Sequence, residues 1–190
     1  MRDLPGDEVS VTAAPTPVDD TARELADEMA VAVQDFVRAV EQVAAGGLED
    51  TAISLVLLQT AHLAAHGARL GALTDVVPEG RYEPDTGGEP EVDTLRLRLA
   101  EVFTHADRYH TVDDPYFPVP EIVESSLSDD LSGIVTDLNH GFGHYAAGRP
   151  IEALWWWQYT YLSSWGEDVL NAQAALRSMI SHVRLDLETR

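Results

Sequence analysis

The chain has 190 residues, 45% of them apolar, which suffices for one domain with a substantial core. Its 33 acids face only 12 bases, all arginine, and the net charge of −21 leaves no basic face of the kind that nucleic acid or an anionic membrane demands. The absence of cysteine removes disulfides, thiolate chemistry and cysteine-based zinc sites.

The opening MRDLPGDEVSVTAAPTPVDD has no apolar segment of the secretory type, and no later run is long enough to span a bilayer. A cytoplasmic location is the resulting expectation. Residues 1–19 mix prolines, small residues and acids without periodicity and read as a mobile acidic tail; residues 20–190 read as one helical domain. Thr21-Ala-Arg-Glu24 has the form of a capping box, and Leu25, Met29, Val33, Phe36, Val37, Val40 and Val43 follow at helical spacing until Gly46-Gly47.

The stretch Leu48 to Leu73 is apolar around most of its circumference, with His62, His66 and Arg69 arguing against a membrane, and predicts a helix buried on two sides. Residues 74–92 are rich in proline, glycine and acids and read as a loop. A third helix is expected from about Val92 to Tyr109, with Leu95, Leu99, Val102, Phe103 and Ala106 inward. DDPYFPVPE then reads as an extended segment on the surface. His105 and His110 flank a helix end and read as partners of its dipole or as surface residues.

Ser126-Leu-Ser-Asp129 opens a fourth helix, with Asp129 and Asp130 suited to its positive end and Leu131, Ile134, Val135, Leu138, Phe142 and Tyr145 as its buried stripe. Gly148-Arg-Pro150 makes a turn that starts a fifth helix. Ser164-Trp-Gly-Glu167 reads as a further capping box, opening a sixth helix that buries Val169, Ala172, Leu176, Met179, Ile180 and Val183. The expected class is all-α: a single-domain bundle of about six helices built from helical hairpins, with no convincing strand.

All four tryptophans lie in LNHGFGHYAAGRPIEALWWWQYTYLSSWGED, Leu138 to Asp168. Three in succession on a helix stand 100° apart. Trp157 aligns with Ala153, Leu154 and Tyr161, and Trp155 with Ile151, Tyr159 and Leu162, so both are assigned to apolar stripes. Trp156 shares its stripe with Glu152, Thr160 and Ser163, with Arg149 a further turn away. Trp156, Arg149 and Glu152 therefore form the candidate contact surface for a protein partner, since tryptophan is enriched at interface hot spots. The alternative is that the 74–92 loop or the DDPYFPVPE segment covers Trp156.

His62-Leu-Ala-Ala-His66 and His140-Gly-Phe-Gly-His144 each place two imidazoles on one helical face. If the two faces meet, they supply four nitrogens to zinc or iron, with Asp137 one turn before His140 as ligand or orienter. Gly141 and Gly143 would let a helix or ligand approach that pair closely. Neither pair contains the glutamate of H-E-x-x-H, and no nucleophile with a base, no phosphate-binding loop and no singular carboxylate pair stands out.

Gly141, Tyr145, Gly148, Glu152, Ala153 and Trp157 resemble the helix–turn–helix pattern of a tetratricopeptide repeat, but no second copy follows at the 34-residue period. Ser126 to Leu176 as a whole resembles a bacterial, mainly actinobacterial, family of uncharacterised helical domains. The residues that carry this are the SLSDDL opening, Asp137, the G-x-x-x-E-A turn, the Trp/Tyr-rich helix and Trp165-Gly166. The resemblance implies a fold, a cytoplasmic protein and an accessory role beside recombination and nucleoid proteins; it implies no catalytic residues. The function expected is a non-catalytic interaction domain without cofactor, meeting a protein partner and neither nucleic acid nor membrane, with homodimerisation left open. The runner-up is a metal-binding bundle, or a metal-dependent enzyme, using the two histidine pairs. A third reading is an acidic decoy for the nucleic-acid site of a basic protein.

Overall fold

The computed structural model describes residues 17–48, 51–72, 75–78, 92–112, 116 and 118–185. The expected tail falls outside these residues up to position 16, as do most of the 74–92 loop and part of DDPYFPVPE. Six α-helices follow in order: α1 (Pro17–Ala44), α2 (Ala52–Gly71), α3 (Val92–Phe103), α4 (Leu127–Ala146), α5 (Pro150–Ser163) and α6 (Trp165–Arg184). A short 3₁₀ turn, Thr104–Ala106, and two strands, β1 (Arg108–Val112) and β2 (Ile122–Ser126), join α3 to α4.

The helix boundaries show which local signals act. Helix α1 begins at Pro17, four residues before the expected capping box, because proline fits the first helical position with its φ already set. Thr21 and Glu24 therefore lie inside the helix. Gly46 and Gly47 adopt φ of +81° and +84°, the left-handed conformation that stops α1. Ser126 caps α4 as expected, its Oγ accepting from the Asp129 amide at 3.2 Å. Ser164 does not cap α6: its side chain makes no cap bond, and Glu167 N bonds to the Ser164 backbone carbonyl at 3.0 Å instead.

The strands correct the expectation of a strandless chain. Tyr109, placed at a helix end by the sequence, sits on β1, which pairs antiparallel with β2 in the register Tyr109↔Ser125 and Val112↔Ile122. A helix running on to Tyr109 is prevented by the 3₁₀ turn, where Thr104 has φ +46°. In sequence, DDPYFPVPE lies between the two strands, and part of it lies outside the described residues.

Helix α5 packs against α1, α2, α4 and α6, and α4 against α1, α3, α5 and α6, so the α4–α5 hairpin runs through the middle of the bundle. The core around it is built from Met29, Val33 and Phe36 of α1, Leu63 and Leu70 of α2, Leu99 of α3, Leu131, Ile134 and Leu138 of α4, and Val169 and Leu176 of α6. Gln158 of α5 is buried yet fully engaged: its Nε2 donates to Leu70 O at 2.8 Å and its Oε1 accepts from Val76 N at 2.8 Å. One amide thereby closes the end of α2 and holds the segment after it, as buried polar groups require. Helix α2 departs from the expected two-sided burial, since Leu58 is 52% exposed. Helix α6 departs likewise at Val183, which is exposed, while Met179 and Ile180 are half-buried.

Candidate functional site

The α4–α5 hairpin depends on one glycine. A Cβ at Gly141 would lie 2.3 Å from Trp157 Nε1, so only glycine lets the indole lie against the α4 backbone. Trp157 is fully buried, and its Nε1 donates to Leu138 O at 3.0 Å. The close approach expected beside the histidine pair is therefore made by α5 itself. Trp165, also fully buried, donates to Trp157 O at 3.3 Å and receives the edge of Tyr161, whose ring lies over Gly67 and Gly71.

The other two tryptophans differ from the stripe assignment. Trp156 is half-buried: its Nε1 donates to Asp137 O at 3.1 Å, and its ring stacks on His140 at 4.1 Å between centroids, 24° apart. Among the described residues the cover on its ring comes from α4; most of the 74–92 loop and part of DDPYFPVPE lie outside them. Trp155, assigned to an apolar stripe that buries, is only half-buried; it stacks on Tyr159 at 5.6 Å, and its stripe continues into solvent at Tyr159 and Leu162, 54% and 65% exposed. The rings of His140, Trp156, Trp155 and Tyr159 thus make a continuous series along one side of the hairpin. Glu152 is half-buried on the same helix. Arg149, at the N-terminus of α5, turns its guanidinium to His144 Nδ1 at 3.3–3.4 Å.

The histidine pairs do not assemble into one site. His62 and His66 lie on α2, His140 and His144 on α4, and among the described residues no three histidines, aspartates or glutamates are grouped so as to hold a metal ion. His144 is buried beside Arg149, a cation that would oppose a metal there. Asp137 faces His140 and accepts from the Ser164 side chain; this use of Ser164 accounts for the missing cap on α6. His66 Nδ1 is buried without a partner, and burial, then the charge of Arg69, holds its pKa below the ordinary value.

A second cluster has no motif in the sequence. Asp130, buried at the start of α4, accepts from the Tyr109 hydroxyl and from Ser125 Oγ, the latter at 2.7 Å, so β1 and β2 are pinned to the helix. Burial pushes the Asp130 carboxyl above the usual range against those two hydrogen bonds. Tyr109 is raised too, by burial and then by the carboxylate it touches. Two turns along α4 stands Asp137, also raised by burial. Asp168 of α6 lies between them, opposite Gly133, where a Cβ would be 3.7 Å from its Oδ2. Burial, then the charges of Asp130, Asp137 and Glu167, push Asp168 up to about 7. With acids so plentiful, no spacing singles out these three; only the packing of α6 on α4 joins them.

The solved structure of protein BF1032 from Bacteroides fragilis is similar, with a TM-score of 0.66 at 19% identity, over 86% of this chain and 94% of that one. At that identity the likeness is one of fold. No curated protein matches the chain. Among the described residues no helix is long and apolar enough to cross a membrane. Residues 20–182 match the family model described as Domain of unknown function (DUF5063), and the chain belongs to that family.

Proposed function

We propose that this domain is a non-catalytic cytoplasmic interaction module whose contact face is the outer side of the α4–α5 hairpin. The face comprises Trp156 with its stacked His140, Trp155 and Tyr159, framed by Arg149 and Glu152. One observation carries the reading. Helix α5 contacts four other helices, yet it keeps an apolar stripe over, ending in Tyr159 and Leu162 at 54% and 65% exposure. Large amphipathic rings at a surface supply contact area at low entropic cost and can stack on a partner's guanidinium groups. A net charge of −21 favours a basic protein as that partner.

The test places a photo-crosslinking phenylalanine analogue at Tyr159 of the full chain in its native cells, with Gln34, exposed on α1, as the control position. The expected result is one dominant adduct from position 159, absent from position 34 and lost when Trp155 is changed to Ala. Identical adduct patterns at the two positions would refute the reading.

A further inference from the structure

A different surface, between α2 and α6, carries a separate inference. Helix α6 buries Val169, Ala172 and Leu176 and turns a second stripe outward, through Leu170, Ala174, Arg177, Ile180 and Arg184. Helix α2 sets Leu57, Leu58 and Ala61 opposite, and together they line an open groove of about 720 Å³. Its rims are apolar, with Leu58 52% and Leu170 53% exposed. From Leu170 to Arg184 the wall runs fourteen residues, about 21 Å of helix.

The charge of this groove is opposite to that of the chain. Although acids outnumber arginines by 33 to 12, the groove lining holds two arginines and no carboxylate among the described residues. Arg38, Arg69, Arg96 and Arg108 all pair with acids of this chain. Arg177 and Arg184 are exposed and, like Arg23 and Arg98 elsewhere on the surface, pair with no acid among the described residues; what sets them apart is that both line one groove. They stand seven residues, two turns, apart on one face, about 10 Å along the axis.

We propose that the α2–α6 groove docks an acidic amphipathic helix of a partner protein. Its apolar stripe would lie between Leu58 and Leu170, and two carboxylates two turns apart would meet Arg177 and Arg184. The walls are helices whose backbone groups are already bonded, so an added strand finds no edge; a helix laid in the groove is the mode that fits. The two arginines set register and select against basic helices, because contact pairs discriminate by sign more than they add raw affinity.

The probe is a fluorescent 18-residue helical peptide with leucines at helical spacing and two glutamates seven apart, titrated against the full chain by anisotropy. A salt concentration of about 0.15 M screens the remote acids of the chain and leaves contact pairs effective. The peptide is expected to bind saturably, to weaken at least about tenfold with R177E/R184E, and to be lost with L170D. Its twin with lysine in place of glutamate should fail. Leu170, Arg177 and Arg184 are all exposed, so unchanged melting temperatures will show that the variants fold. Absence of saturable binding, equal binding of the lysine twin, or indifference to R177E/R184E would overturn the proposal. Sedimentation velocity supplies the remaining arm: self-association that R177E/R184E abolishes would make the occupant a second copy and overturn the assignment to a partner.

Discussion

Asp168→Asn is expected to stabilise the protein in alkaline but not in acidic solution. The Asp168 carboxyl has its pKa raised from 3.8 to about 7 by burial against α4 and by the charges of Asp130 and Asp137. A group whose folded pKa lies above its unfolded one contributes stability that is fully present below about pH 4 and is lost as pH rises through 7. The whole shift corresponds to at most about 4 kcal/mol at 1.36 kcal/mol per unit. Because the carboxyl is only half-buried, screening by water reduces this to roughly 1–2 kcal/mol. The asparagine side chain matches the protonated acid in size and carries no charge, so it should recover that amount at pH 8 and almost nothing at pH 4. In a domain of this length the gain is roughly 3–6 °C in melting temperature. Circular dichroism melts of D168N and wild type at both pH values read the difference. Glu41→Gln, at an exposed position on α1, controls for general relief of charge repulsion. An equal gain at both pH values, or a gain no larger than that of E41Q, would refute the argument that Asp168 is held against its neighbours.

Three further outcomes follow from the packing. Trp157→Ala should cost roughly 3–5 kcal/mol, whereas Trp155→Ala, on the outward stripe, should cost roughly 1–2 kcal/mol; urea titrations of the two separate them, and equal losses would place Trp155 in the core. Gly141→Ala should destabilise by roughly 1–3 kcal/mol, because the new methyl would meet the Trp157 indole and neither backbone nor buried ring can retreat; a neutral result in the same titration would contradict that packing. Incubation with a chelator such as 1,10-phenanthroline should leave the melting temperature unchanged, since among the described residues no three donors are grouped so as to hold a metal ion; a fall of several degrees, matched by metal in elemental analysis, would show a site those residues do not account for.

The parts of the fold legible in the sequence are those decided by signals a few residues long. Gly46-Gly47, the Ser126–Asp129 cap and the Gly148-Arg-Pro150 turn fall where the residues indicate, because each satisfies helix ends with groups from the same turn. Where the deciding partner is remote, the local pattern misleads. Ser164 has the spacing of a cap, yet its side chain bonds to Asp137 of α4. Tyr109 continues a helical pattern, yet Asp130 holds its hydroxyl and the Ser125 backbone holds its strand. The carboxylate row of Asp130, Asp137 and Asp168 leaves no trace in spacing for the same reason.

The tryptophans show how this bears on the candidate face. Neighbours on α5 alone place Trp155 on an apolar stripe and Trp156 on a polar one. In the bundle, α4 supplies a stacking ring and a carbonyl to Trp156, while among the described residues Tyr159 and Leu162, beyond Trp155, stay 54% and 65% exposed. A helix that is apolar all round needs a neighbour on every side. Four helices surround α5, and the side they leave uncovered still carries a stacked tryptophan and tyrosine and an exposed leucine. An exposed stripe of adjoining apolar side chains, unlike single scattered ones, is where a partner is expected to dock. The case for an interaction domain therefore rests less on Trp156, which the sequence singles out, than on the stripe beside it, from Trp155 to Leu162.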